Sequence, residues 1–209
     1  MDGRIKKFWV GITILLVAAA LILCVFASWR GSLYIKPSGN PQLTVSDFCD
    51  ALKAGKYEAA YACLSDYKTL GLEKEPASEE AKLMFEALKQ SYDYELVGRC
   101  KETQMSAVQT VSFQYLNVKS VETAISRQVD SVLSQMVRER PRSEIYDEND
   151  KYLPELTDEV YLVALQQVLE TPEKYYSKAE FDLDLEYVEG SWLIKTNQNL
   201  LNALVGGAA

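Results

Sequence analysis

The stretch FDLDLEYVEGSWLIK, residues 181–195, decides the fold. Glu189-Gly190 has the make-up of a two-residue hairpin turn, and folding the chain back on it sets Val188 against Ser191, Tyr187 against Trp192 and Leu185 against Ile194. Because strand side chains alternate with period two, Phe181, Leu183, Leu185, Tyr187, Trp192 and Ile194 share one face. Asp182, Asp184 and Glu186 take the other, with Asp184 opposite Lys195 and Glu186 opposite Leu193. A one-residue slip would mix the two sets, so the pattern pins the register. Carboxylates on alternate residues stand about 6.8 Å apart and point in parallel. They do not converge as the six to eight oxygens of a calcium site must. The stretch reads as a half-buried antiparallel hairpin with a solvated charged face, and no metal site is expected there.

Working outward, a similar pattern precedes it. Tyr92, Tyr94, Leu96 and Cys100 alternate with Asp93, Glu95 and Arg99. SAVQTVSFQYLNV follows, with Val111, Phe113 and Tyr115 on one face, and the gap suits a second hairpin. Helices surround these strands. Val45, Phe48, Cys49 and Leu52 make an apolar stripe ended by Gly55, and KYEAAYACLS begins a second helix. Ser78 caps a third, whose expected core residues are Ala81, Met84, Phe85 and Leu88. A long helix starts at Ser120 and buries Val121, Ile125, Val132 and Met136, and Thr157 caps another that stops before Pro172. A short helix, NQNLLNAL, closes the chain. Helices and hairpins segregated in this way predict an α+β fold with an antiparallel sheet.

At the other end of the chain, residues 8–29 carry no charge over 22 positions. As a helix they rise about 33 Å, enough to span a hydrocarbon core. Trp9 and Trp29 mark the ends, and Arg4, Lys6 and Lys7 precede the run, which puts residues 1–7 in the cytoplasm and the remainder outside. The expectation is an uncleaved single-pass signal-anchor. Two alternatives stand beside it: a signal cleaved after Ala20 or Ala27, and a lipid anchor on Cys24 within LILC, where Leu23 replaces the usual small residue. Residues 30–43 read as a tether, 44–205 as the extracytoplasmic domain with 120–170 as a helical insertion, and 206–209 as a tail.

Composition narrows the chemistry. Beyond residue 30 the chain has 18 basic and 29 acidic residues, a net charge of −11, which repels phosphate backbones and makes nucleic acid an unsuitable partner. There is no histidine, so Ser-His-Asp and Cys-His nucleophiles are excluded and most zinc sites with them. No catalytic residue, metal or cofactor is expected. Cys49, Cys63 and Cys100 fall on apolar faces as small hydrophobes. Cys49 and Cys63, on adjacent helices, are also a conceivable disulfide in an exported domain. Tyr94, Phe113, Tyr115, Phe181, Tyr187 and Trp192, with Tyr92, either line a ligand cavity or pack as core. YDENDKY at 146–152 has the composition of a calcium loop but lacks its glycine and distal glutamate.

Two segments carry a resemblance. In VSDFCDALKAGKYEAAYACLS, Phe48, Ala51, Leu52, Gly55, Tyr57, Ala60 and Tyr61 match a helical-hairpin pattern, FxxALKxGxYxxAY. In LEYVEGSWLIK, Gly190, Trp192, Ile194 and Lys195 match xGxWKI loosely, with Leu193 where lysine is common. The chain resembles membrane-anchored extracytoplasmic proteins of Gram-positive bacteria with a nuclear transport factor 2-like (cystatin-like) domain. The resemblance implies a curved antiparallel sheet wrapped on N-terminal helices around a cone-shaped pocket. It implies no activity, since such folds serve isomerases, transport adaptors, wall-enzyme accessory domains and subunits of secretion or conjugation machines. The expected function is a non-enzymatic binding or accessory module at the cell envelope, for an envelope protein or a small apolar ligand. The rivals are a small isomerase- or hydrolase-like enzyme with an inward carboxylate, and an assembly subunit of an envelope machine.

Overall fold

The hairpin register is the centre of the architecture. In a computed structural model describing residues 37–66 and 72–207, Leu185 pairs with Ile194, Glu186 with Leu193, Tyr187 with Trp192 and Val188 with Ser191. Glu189 and Gly190 both have positive φ, 50° and 93°, as a type I′ turn requires. The strands are β1 (Asp93–Glu102), β2 (Ser106–Leu116), β3 (Tyr176–Val188) and β4 (Ser191–Ile194), an antiparallel meander in the order β1-β2-β3-β4. The expected ion pair differs in one detail: Lys195 reaches Glu186 at 3.1 Å rather than Asp184 opposite it. A lysine stem is long enough to choose the diagonal neighbour. Asp182 accepts a hydrogen bond from Thr110 Oγ across β2–β3 at 2.6 Å.

Six α-helices complete the described residues: α1 (Pro41–Lys53), α2 (Tyr57–Tyr61), α3 (Glu79–Ser91), α4 (Val118–Glu139), α5 (Pro154–Leu169) and α6 (Gln198–Leu204). The fold is α+β, as expected. Three helices start upstream of their expected positions, two of them behind a better cap. Asn40 caps α1 by accepting from Gln42 N at 2.9 Å, and Pro41 occupies the first turn, so α1 takes in the end of the stretch read as tether. Asn117 caps α4, which starts at Val118 rather than at Ser120. Pro154 opens α5, which puts Thr157 inside the helix rather than at its cap. Ser78 caps α3 as expected, accepting from Ala81 N at 3.2 Å. Ala81 itself is exposed, whereas Leu88 is buried as expected, together with Ala87 and Ser91, and Met84 and Phe85 pack half-buried against the core.

The α4 stripe is buried at Val121, Ile125, Val132 and Met136, as its spacing predicts. With Leu156, Val160, Ala164, Leu165 and Val168 of α5 it joins the same hydrophobic core as the inner sheet face, where Val111, Phe113, Phe181, Leu183 and Leu185 lie. The core closes with few loose ends. Ser91 donates to Leu88 O and accepts from Leu116 N, both at 2.6 Å. Tyr92 donates to Leu204 O at 2.6 Å and tying α6 down in this way satisfies one of its last carbonyls. Within the stretch read as a tail, Gly206 is buried and its carbonyl accepts from Val118 N.

The apolar run 8–29, its basic flank and the cysteine at 24 lie outside the described residues. Among the described residues, no helix is long and apolar enough to cross a membrane.

Candidate functional site

The polar side of α4 carries the site. Lys119, Thr123 and Arg127 follow at i, i+4 and i+8, one stripe along the helix surface, with Ser120, Ala124 and Gln128 on the adjoining stripe. Val168 of α5 and Tyr175 of a single 3-10 turn (Pro172–Tyr175) form the opposite wall, and Asn117 closes one end. Together they border a cavity of about 680 Å³. That volume falls within the usual range of small-molecule sites.

Hydrogen bonds hold its walls. Asn117 N donates to Tyr175 O at 2.9 Å, and Asn117 Nδ2 donates to Ser177 Oγ at 3.2 Å, so the start of α4 is tied to the turn before β3. Gln128 Nε2 donates to Gln167 Oε1 at 2.7 Å across the two helices. Thr123 Oγ donates to Lys119 O, which leaves the hydroxyl oxygen free to accept. Lys119 and Arg127 form no ion pair among the described residues. The border of the cavity includes two cations and no carboxylate.

Two smaller cavities have different character. One of about 140 Å³ lies between Val129, Leu133, Leu156 and Val160, rimmed by Tyr152 and Tyr161, which are 47% and 40% exposed. One of about 250 Å³ lies between β1 and its neighbours at Asp93, Tyr94, Glu95, Ser112, Gln114 and Lys178.

Of the aromatic residues proposed as pocket lining, Phe113, Phe181 and Trp192 are buried in the core. Tyr115 and Tyr187 pack against its margin, Tyr187 edge-on to Trp192 with centroids 5.3 Å apart. Tyr94 alone of the six borders one of these three cavities, and its hydroxyl donates to Asp50 at 2.9 Å. The six are therefore brought to one face but not around these cavities: bulky rings on a sheet covered by α1 fill the space they would have enclosed. The polar side chain buried on that face is Gln109, whose Nε2 donates to Val97 O and Thr110 O while Oε1 has no partner.

Cys49, Cys63 and Cys100 are free thiols, so the conceivable Cys49–Cys63 bridge is not formed. Burial first, then the Asp50 carboxylate, pushes the Cys49 thiol far up, and burial with Asp47 raises Cys63. Burial and Glu102 raise Cys100. Thiols held protonated are poor nucleophiles. In the 146–152 loop, Asp147 spends its carboxylate on the backbone N–H groups of Asn149 and Lys151, at 2.8 and 2.9 Å. Those bonds hold its carboxyl below the usual range. Among the described residues no cluster of three or more acidic, cysteine or histidine side chains is placed to hold a metal.

Sequence reasoning missed the α4 groove. Its signal was present in the period-four run of Lys119, Thr123 and Arg127, but nothing local reveals that Tyr175 and Val168 face it.

No protein-family model matches this chain, and no curated protein matches it significantly. Among solved structures, a Bacillus subtilis protein named as a candidate lipoprotein, ycdA, is similar with a TM-score of 0.39 at 15% identity. The match covers 80% of this chain and 48% of that one, so the chain spans about half the length of that protein. A likeness this distant carries neither fold family nor function across.

Proposed function

We propose that this chain is a single-pass, membrane-anchored binding module on the outer side of the cell membrane, without enzymatic activity, and that its ligand enters the α4 groove. The observation that carries the reading is the pair Lys119 and Arg127, neither in an ion pair among the described residues, on a cavity of about 680 Å³ bordered by no carboxylate. A fold with net charge −11 outside residues 1–30 gains no solubility from two more cations. A ligand with complementary charge gives them a purpose. The 22-residue uncharged run and its basic flank support the anchor and the outward orientation. The helices packed over one face of a four-stranded antiparallel meander support a cystatin-like assignment for the domain.

The absence of histidine and the raised thiols favour binding over catalysis. So does the outward placement of Asp182 and Asp184, which leaves Gln109 rather than an acid on the inner face. A second reading, an assembly subunit, draws on the apolar cleft rimmed by Tyr152 and Tyr161.

The test is crosslinking of the full chain in intact cells, followed by mass spectrometry of what co-purifies. The wild type should bring down envelope material that Lys119→Glu/Arg127→Glu loses. Equal recovery by both chains would remove the groove from the function. Recovery of the chain itself as the main crosslinked species, lost on Tyr152→Ala/Tyr161→Ala, would favour the assembly subunit.

A further inference from the structure

The groove's two cations are separated by two helical turns, about 12 Å of rise. Their stems leave α4 about 80° apart around the helix axis, so a single carboxylate or phosphate is too small to be held by both in their relaxed directions. Around them lie groups of another kind: the Ser120 and Thr123 hydroxyls, the Gln128 amide fixed by Gln167, the small Ala124 and Tyr175. Hydroxyls and amides that both donate and accept, beside a ring and a shallow apolar floor, match the mixed polar and C–H faces of sugar rings.

The charge of the whole domain selects further. A dense polyanion would bring many charges against a net −11 and lose more by repulsion than two contacts return. A chain whose acidic groups are separated by neutral units can place them at Lys119 and Arg127 while bringing fewer charges against the net negative domain. A peptide is less well served, because no strand edge borders this cavity to supply a backbone ladder.

We propose that the groove binds a sparsely charged anionic oligosaccharide, with acidic groups on separate sugar units held by Lys119 and Arg127 and the neutral unit between them lying over Thr123 and Ala124. This rests on the groove being the ligand site. It adds the chemical class of the ligand.

The probes are oligosaccharides alternating a uronic acid with a neutral N-acetylated sugar (hyaluronan di-, tetra- and hexasaccharides), titrated calorimetrically into the full chain in an uncharged detergent at low salt. Neutral chito-oligosaccharides of the same lengths, a galacturonate hexamer and inorganic phosphate are the comparisons. The tetra- or hexasaccharide should bind at least tenfold more tightly than the disaccharide, which carries only one acid. Raising salt should weaken it. Lys119→Ala and Arg127→Ala should each cost about tenfold, with unchanged thermal unfolding because both side chains are exposed.

Binding of phosphate or the disaccharide as tight as the hexasaccharide would overturn the two-point contact. Equal binding of the neutral chains would overturn the role of charge, and tighter binding of galacturonate would overturn the sparse spacing. No binding of any saccharide would overturn the ligand class. If Lys119→Glu/Arg127→Glu still lost its crosslinked material in cells, the groove would stand with another ligand. If it did not, both readings would fall together.

Discussion

At Gly206 the chain has no room for a side chain. A Cβ there would come within 2.5 Å of Val118 Cγ2 and 2.6 Å of Leu116 O, and φ is +71°. Gly206→Ala should therefore destabilise the fold by about 2–4 kcal/mol through clash and backbone strain. Urea unfolding measures it, and a change of a few tenths would show that α6 and the start of α4 are not packed as described. Tyr92 gives a milder expectation. Tyr92→Phe keeps the ring against Phe113 but leaves Leu204 O without its donor, a cost of about 1–3 kcal/mol. The same unfolding curves would reveal it, and a neutral result would mean that water replaces the hydroxyl. Of these residue-scale facts, the burial of Tyr92 was legible in its alternation. Its bond to a carbonyl 112 residues away was not, because no local pattern encodes a contact of that separation.

Between elements, the α4–α5 connection is fastened by Arg140, whose two guanidinium nitrogens donate to Glu159 at 2.6 and 2.7 Å. The Arg140 guanidinium holds the Glu159 carboxyl below its ordinary 4.5. A depressed carboxyl contributes stability above its unfolded value and loses it as pH falls through the folded one. Glu159→Gln should then lower the melting temperature at pH 7 by a degree or two on the order expected of a largely exposed pair, with the gap closing below about pH 4.5. A gap that stays constant as the pH is lowered from 7 through the whole carboxylate range to 2 would mean that Gln disturbs packing rather than charge. The sheet edges show another device at this scale. Ile194 N donates to Cys63 O and Ser65 N donates to Ile194 O, so the segment after α2 shields β4. The outer strand β1 is left with a register shift between Val97 and Lys101 and Gly98 at φ +69°. Such an irregular, charged edge resists pairing with another chain. Gln109 completes it by donating to Val97 O, a carbonyl beside the shift.

Across the whole molecule, the three thiols report how tightly the core closes. Cys49 is 2% exposed, and burial with neighbouring carboxylates keeps it, Cys63 and Cys100 protonated at neutral pH. Iodoacetamide at pH 7.5 should modify Cys49 at least a hundredfold more slowly in the native chain than in urea, with Cys63 and Cys100 between these limits. Native labelling of Cys49 at the unfolded rate would mean that α1 opens readily from the sheet. The groove is the other whole-molecule property. Asn117 and Tyr175, 58 residues apart, meet only because β3 returns alongside β2 and carries the turn before it to the start of α4.

What the sequence alone determined is local and periodic. The β3–β4 register follows from one turn and a period of two, the buried face of α4 from a period near four, and the cap of α3 from Ser78. Upstream caps moved the starts of α1 and α4 by two or three residues, since Asn40 and Asn117 accept from their first turns, and Pro154, with no N–H to satisfy, starts α5 four residues earlier without a side-chain cap. Tertiary structure decided whether the aromatic face would be a cavity or a core, because that depends on how closely α1 packs over the sheet. It also decided that Lys119 and Arg127 border a groove rather than open water, because the opposite wall comes from α5 and the turn before β3.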